Sequence, residues 1–223
     1  MQAADHVREH GSLLAGPEKR ALLWLAQRMP GWVTSDHLTL LALAAMLGAG
    51  LAFWAARWYP LCLPLVVLAL ALNWFGDSLD GTLARVRRRQ RPRYGFYVDH
   101  VLDIVGTLFL VGGLALSGHM QPLIALGFLV AYLMVAAEIF LATHARGVFR
   151  LSFWRIGPTE LRILLALGSL ELLRQPRVEL RGFGSVRLFD LGGLVAIAAL
   201  GLALVVATVR NTRALYRAEP LPR

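Results

Sequence analysis

Two pairs of aspartates lie close together in the chain, Asp77 with Asp80 and Asp99 with Asp103, separated by the basic run Arg87-Arg88-Arg89-Gln90-Arg91-Pro92-Arg93. On a helix turning about 100° per residue, Asp80 falls about 60° from Asp77, while Gly81 and Ala84 fall about 40° and 20° from it. One helix face then carries two carboxylates and two small residues. Gly95, Asp99 and Asp103 follow at four-residue steps and form a second such stripe, which the basic run folds against the first. Four carboxylates at close quarters repel one another unless a cation compensates them. Their four negative charges balance two divalent ions, and hard oxygen ligands suit Mg²⁺ or Mn²⁺. Gly81 and Ala84 remove bulk beside the carboxylates, and Arg85 offers a fork that matches phosphate oxygens. The stripes therefore read as a site for metal and a diphosphate. The competing reading of Gly81, Ala84 and Gly95 is close helix packing, common among membrane helices.

The elements that position these stripes are apolar. Of 223 residues, 57% are hydrophobic and 17% charged, which points to a membrane protein rather than a water-soluble domain. Apolar stretches run over 38–56, 58–76, 104–118, 120–142, 161–173 and 188–209, most of them near the roughly 20 residues of a spanning helix. The expected fold is an all-α integral membrane bundle of six transmembrane helices. The fifth span is the shortest, with Arg162 and Glu171 at its edges. Pro17 to Met29 mixes Leu22, Leu23, Leu25 and Ala26 with Lys19, Arg20, Gln27 and Arg28, the pattern of an amphipathic helix lying in the interface. It serves as an anchor or as a lid for lipid entry. Ser35 or Asp36 is the expected cap of the first span. Residues 1–36 form an N-terminal segment, 37–212 the transmembrane domain and 213–223 a tail. The charged start of the chain has no pattern of a removable signal peptide.

The formal charge is +9. With the N-terminus inside, Arg57, Arg174, Arg177, Arg181 and Arg187 fall outside, and the remaining Lys and Arg gather on the inner side or at inner helix ends. That asymmetry follows the positive-inside rule, and the basic surface then faces anionic headgroups and substrates rather than a nucleic acid. The single cysteine, Cys62, excludes an intramolecular disulfide and any multi-cysteine metal site.

The segment Asp77-Ser-Leu-Asp80-Gly81-Thr-Leu-Ala84-Arg85, with Gly95-Phe-Tyr-Val-Asp99-His-Val-Leu-Asp103, resembles the signature D-x-x-D-G-x-x-A-R…G-x-x-x-D-x-x-x-D of the CDP-alcohol phosphotransferase family. Every signature residue is present. The nine residues between Arg85 and Gly95 are one more than the family usually has, and the extra one falls in the basic loop. Thr34-Ser35-Asp36-His37-Leu38-Thr39 is similar to a T-P-N-x-L-T stretch before the first span of many members. The resemblance implies metal ligation by Asp77, Asp80, Asp99 and Asp103. Asp103 would also serve as general base, with Gly81, Ala84, Arg85 and Gly95 on the substrate side. It implies a homodimer as well. Gly157-Pro158-Thr159-Glu160 resembles a stretch of the choline and ethanolamine phosphotransferases.

The expected activity is transfer of a substituted phosphate, phosphatidyl above all, from a CDP-linked lipid donor to a small or lipid alcohol with release of CMP, in phospholipid synthesis. The expected place is a bacterial cytoplasmic membrane with the site facing the cytoplasm. Rival readings are transfer from a CDP-amino-alcohol to a lipid alcohol, an intramembrane prenyltransferase and an ion-coupled transporter. Among weaker signals, His100 points off the Asp99 stripe toward packing or an outer hydrogen bond. His6 and His10 have a metal-compatible spacing. Glu138 needs a polar partner, in the cavity or at a helix-end arginine. Arg146, Arg150 and Arg155 stand where an acceptor phosphate would be held.

Overall fold

The computed structural model describes residues 7–9, 15–146, 148–150, 158–180, 182 and 184–219. His6, His10, Arg155, Gly157 and Arg181 lie outside them. Seven α-helices follow in order: α1 (Ala15–Arg28), α2 (Ser35–Ala55), α3 (Leu63–Val86), α4 (Pro92–Leu116), α5 (Pro122–Arg146), α6 (Pro158–Glu171) and α7 (Leu188–Ala218). Two very short sheets accompany them. Strand β1 (Val7–Glu9) pairs in parallel with β2 (Val148–Arg150), and β3 (Arg177–Leu180) pairs antiparallel with β4 (Gly184–Arg187).

Proline opens the first turn of α3, α4, α5 and α6, where its missing N–H has no helical partner to lose and its fixed φ suits the helix. For α2 the cap is Thr34 rather than the expected Ser35 or Asp36. The Thr34 hydroxyl accepts from the His37 amide at 3.3 Å, and the Thr34 amide donates to His37 Nδ1 at 3.2 Å. A reciprocal pair of this kind satisfies two amides that the helix cannot. The Ser35 side chain is used elsewhere, donating to the Asp80 carbonyl at 3.0 Å.

Helix α2 is the centre of the bundle, packed on both α3 and α4, while α5 packs on α7 and α3 also holds α1 and α6. Small residues allow the close approach. A Cβ on Gly113 would land on the Gly50 backbone, and one on Gly76 would meet Leu38 and Ala42 of α2. The larger core joins Phe53, Leu63, Val66, Leu70, Val111 and Leu114, with Phe189 edge-on to Phe53 at 5.8 Å. Cys62, which partly packs against it, is therefore a packing residue. A second cluster, Leu22, Ala26, Val33, Leu38, Leu79 and Leu83, seats α1 against α3 and α2.

Among the described residues, five helices are long and apolar enough to cross a membrane: α2, α3 with the turn before it, α4, α5 and α7. Their outward faces carry exposed Leu, Val and Met, a surface suited to lipid, and the chain is an integral multi-pass membrane protein. Helix α6 has 14 residues, about 21 Å at 1.5 Å per residue, against roughly 30 Å of hydrocarbon. A sixth full-length span is not confirmed among the described residues. Helix α7 continues unbroken to Ala218 and so includes residues 213–218.

Candidate active site

Helices α3 and α4 are joined by the basic loop and both pack on α2, and the loop sets the end of one near the start of the other. The loop is shorter than the charge run, since α4 already begins at Pro92, and Arg88 takes a left-handed conformation (φ 54°) to turn the chain. Arg87 is not free in solvent. Its guanidinium donates to the carbonyls of Met29 and Pro30 at 2.8 Å each, and also to that of Val33, which ties the end of α3 to the segment between α1 and α2. Arg91 pairs with Asp36 at 2.6 Å and lies over the Tyr94 ring at 4.1 Å. Two arginines of the run thus lock the loop to the start of α2 and the segment before it.

This geometry brings Asp77, Asp99 and Asp103 together: one carboxylate oxygen from each lies within 4.8 Å of the others. They border a small pocket with Thr39, Asn73 and the apolar Met46. Asp80 is 8% exposed and turned toward α2. Its Oδ2 accepts from Thr39 Oγ1 at 2.7 Å, and its Oδ1 accepts from the Gly81 amide. Three of the four carboxylates therefore form one group, and Asp80 stands at its edge, held by the first turn of α2.

The sequence reading did not place the cation that enters this group. Arg162 of α6 pairs with Asp77 and donates from Nε to Asn73 Oδ1 at 2.7 Å. Asn73 is itself buried and fixed by donating to the Ala42 carbonyl at 3.1 Å. The signal available in sequence was a charged residue inside a short apolar stretch, which at membrane depth marks a pairing partner. Thr159, one turn earlier on α6, donates to Glu18 of α1 at 2.9 Å, and the same carboxylate accepts from Trp74 at 2.7 Å and Ser78 at 3.3 Å. Glu18 thereby ties α1, α3 and α6 together beside Asp77.

The small residues separate into two kinds. Gly50, Gly76 and Gly113 are packing glycines, whereas a Cβ at Gly95 would meet nothing within 4 Å and one at Gly81 only the Arg85 guanidinium at 3.5 Å. Packing within the chain does not account for Gly81 or Gly95. Ala84 is half-buried on the same face, and Arg85 donates to Thr82 at 2.9 Å. His100 stacks on Phe96 at 4.2 Å, contacts the Phe96 carbonyl at 2.7 Å and lies 3.6 Å from Asp99, in keeping with packing plus an outer contact. Glu138 lies away from the pocket. It accepts from Asn211 at 2.6 Å, and Asn211 accepts from Arg146, so Arg146 is engaged between α5 and α7.

Comparison with known proteins agrees with this geometry. The family described as CDP-alcohol phosphatidyltransferase matches residues 32–209. The chain is 29% identical over 170 residues to cholinephosphotransferase 1 of Bos taurus, a match covering 70% of this chain and 40% of that protein. It thus spans less than half the length of that relative. Its fold is similar to that of phosphatidylinositol phosphate synthase from Mycobacterium tuberculosis, solved with CDP-DAG bound, with a TM-score of 0.58, 17% identity, and coverage of 92% of this chain and 100% of that one. The four-aspartate signature, the facing carboxylates and the match over most of its length place this chain in the CDP-alcohol phosphatidyltransferase family, whose members are phosphotransferases.

Proposed function

We propose that the protein transfers a substituted phosphate from a CDP-linked donor to an alcohol and releases CMP, as a step of phospholipid synthesis. The observation that carries this reading is the meeting of Asp77, Asp99 and Asp103 across α3 and α4 in a chain of this family. The family assignment sets aside the prenyltransferase and transporter readings.

Three carboxylates that meet at one pocket form an all-oxygen donor set, which suits Mg²⁺ or Mn²⁺. Asp77, Asp99 and Asp103 would hold the metal, with Asp80 reaching it from the edge. Held there, a divalent ion would supply positive charge for diphosphate oxygens and for the CMP leaving group. Gly81, Ala84 and Gly95 leave open faces beside the carboxylates for the donor, and Arg85 is assigned to its phosphate oxygens. Asp103 lies one turn deeper along α4 than Asp99, and is assigned to accept the proton of the attacking hydroxyl. The acceptor oxygen then bonds to the phosphorus that bears the transferred group. The bond from that phosphorus to the oxygen bridging to CMP breaks, and CMP leaves with the electron pair.

CDP-diacylglycerol is the first-choice donor. The likeness to cholinephosphotransferase supports a second reading, a CDP-amino-alcohol acting on a lipid alcohol. The site is assigned to the cytoplasmic face of a bacterial membrane by the distribution of Arg and Lys, and the protein to a homodimer by family likeness. Purified protein in detergent, with Mg²⁺ or Mn²⁺ and a panel of CDP-linked donors crossed with alcohols, should release CMP and give a product identifiable by mass spectrometry. No CMP from any pair would sink the reading.

A further inference from the structure

The cation in the carboxylate group comes from a helix that carries none of the signature. Arg162 divides its guanidinium between two partners of different kinds: Nε is held by buried Asn73 at 2.7 Å, and a terminal nitrogen pairs with Asp77 Oδ2. The arginine and aspartate side chains are only 16% and 18% exposed, so water screens the pair weakly. The placement is fixed from behind, because Glu18 joins Thr159 of α6 to Trp74 and Ser78 of α3, residues that flank Asp77 in sequence. Asp77 Oδ2 cannot give the same lone pairs both to a guanidinium and to a metal.

We propose that Arg162 is the internal counter-ion of the site: it neutralises Asp77 in the metal-free protein and is exchanged for divalent metal on loading, staying anchored on Asn73. The inference rests on the metal reading above. It makes Arg162 a positioning residue that sets metal affinity, not a ligand. In the metal-free bundle it offsets one of three clustered carboxylates. Once the Asp77 contact is given up, the Asn73 bond keeps the guanidinium at the wall of the pocket, so the positive charge is not lost from the site.

Mn²⁺ titration by calorimetry, without nucleotide, on wild type, Arg162→Gln and Arg162→Lys tests this. Arg162→Gln is expected to bind Mn²⁺ about tenfold more tightly than wild type, the size of effect that one neighbouring opposite charge has on a carboxylate's affinity for a cation. Its melting temperature in EDTA should fall below that of wild type, and the gap should close on adding Mn²⁺. Folding of Arg162→Gln only with metal present would support the exchange equally. Arg162→Lys keeps the charge but cannot hold Asn73 and Asp77 at once, so its Mn²⁺ affinity should rise several-fold. Unchanged or weaker Mn²⁺ binding in the variants that fold overturns the inference. Failure of the wild type to bind Mn²⁺ instead removes the metal reading, and CMP release with unaltered variant affinity leaves the function standing while the exchange falls.

Discussion

Two seams of the bundle bury carboxylates, and they handle them differently. Between α5 and α7, Glu138 accepts from the Asn211 amide, whose oxygen takes the Arg146 guanidinium. One negative charge there meets one positive charge through a neutral relay, and the seam is complete. Between α3 and α4, three carboxylates converge within 4.8 Å, and Arg162 pairs with Asp77 among them. The chemistry of burial is the same in both places, since an uncompensated ion in a membrane is costly. One carboxylate relayed to one arginine holds helices together, whereas three carboxylates gathered at one pocket offer a donor set to a cation from outside.

The comparison breaks most readily on metal. Chelation with EDTA should abolish CMP release, and Mg²⁺ or Mn²⁺ should restore it, while the α5/α7 seam gives no reason for metal to matter elsewhere. Full turnover in metal-free buffer would mean that the α3/α4 seam is as self-sufficient as the other.

Next in size are the carboxylates themselves. Asp103→Asn should keep most of its donor affinity while kcat falls about 10²- to 10⁴-fold, as loss of a general base does. Asp80→Asn should weaken metal and donor binding together. Calorimetry beside turnover separates the two. If Asp103→Asn abolishes donor binding as fully as Asp80→Asn does, Asp103 is chiefly a ligand.

A smaller effect is expected at Gly95, where a side chain would meet nothing. Gly95→Leu should leave the melting temperature unchanged or raise it, since Gly costs a helix about 0.5–1 kcal/mol. Its kcat/KM should drop about 10- to 100-fold through misplacement of the donor. A loss of stability there, with kinetics intact, would assign Gly95 to packing.

The smallest catalytic effect belongs to the balanced seam. Glu138→Ala leaves the Asn211 amide N–H short of an acceptor and should cost about 1–3 kcal/mol of stability, read as a lowered denaturation midpoint. Its kcat/KM should stay within about twofold of wild type. A collapse of turnover in a folded Glu138→Ala protein would erase the distinction between the seams.

Much of this was legible in the residues because it is local. A helix repeats every 3.6 residues whatever surrounds it, so the order Asp77, Asp80, Gly81, Ala84 and the steps Gly95, Asp99, Asp103 define two stripes without tertiary information. The short loop between them then makes the stripes neighbours. Hydropathy likewise marked the five long spans, because a bilayer's thickness sets their length. Tertiary structure alone decided which cations and hydroxyls come to those stripes. Arg162 lies 85 residues from Asp77 in sequence and Thr39 lies 41 from Asp80, and no periodicity reaches that far. Their meeting depends on how α2 and α6 pack against α3, which small residues such as Gly76 permit by letting backbones approach. The charge run between α3 and α4 reads in sequence as a solvated loop. Only the fold shows Arg87 holding the segment between α1 and α2, because the carbonyls it satisfies lie more than fifty residues earlier.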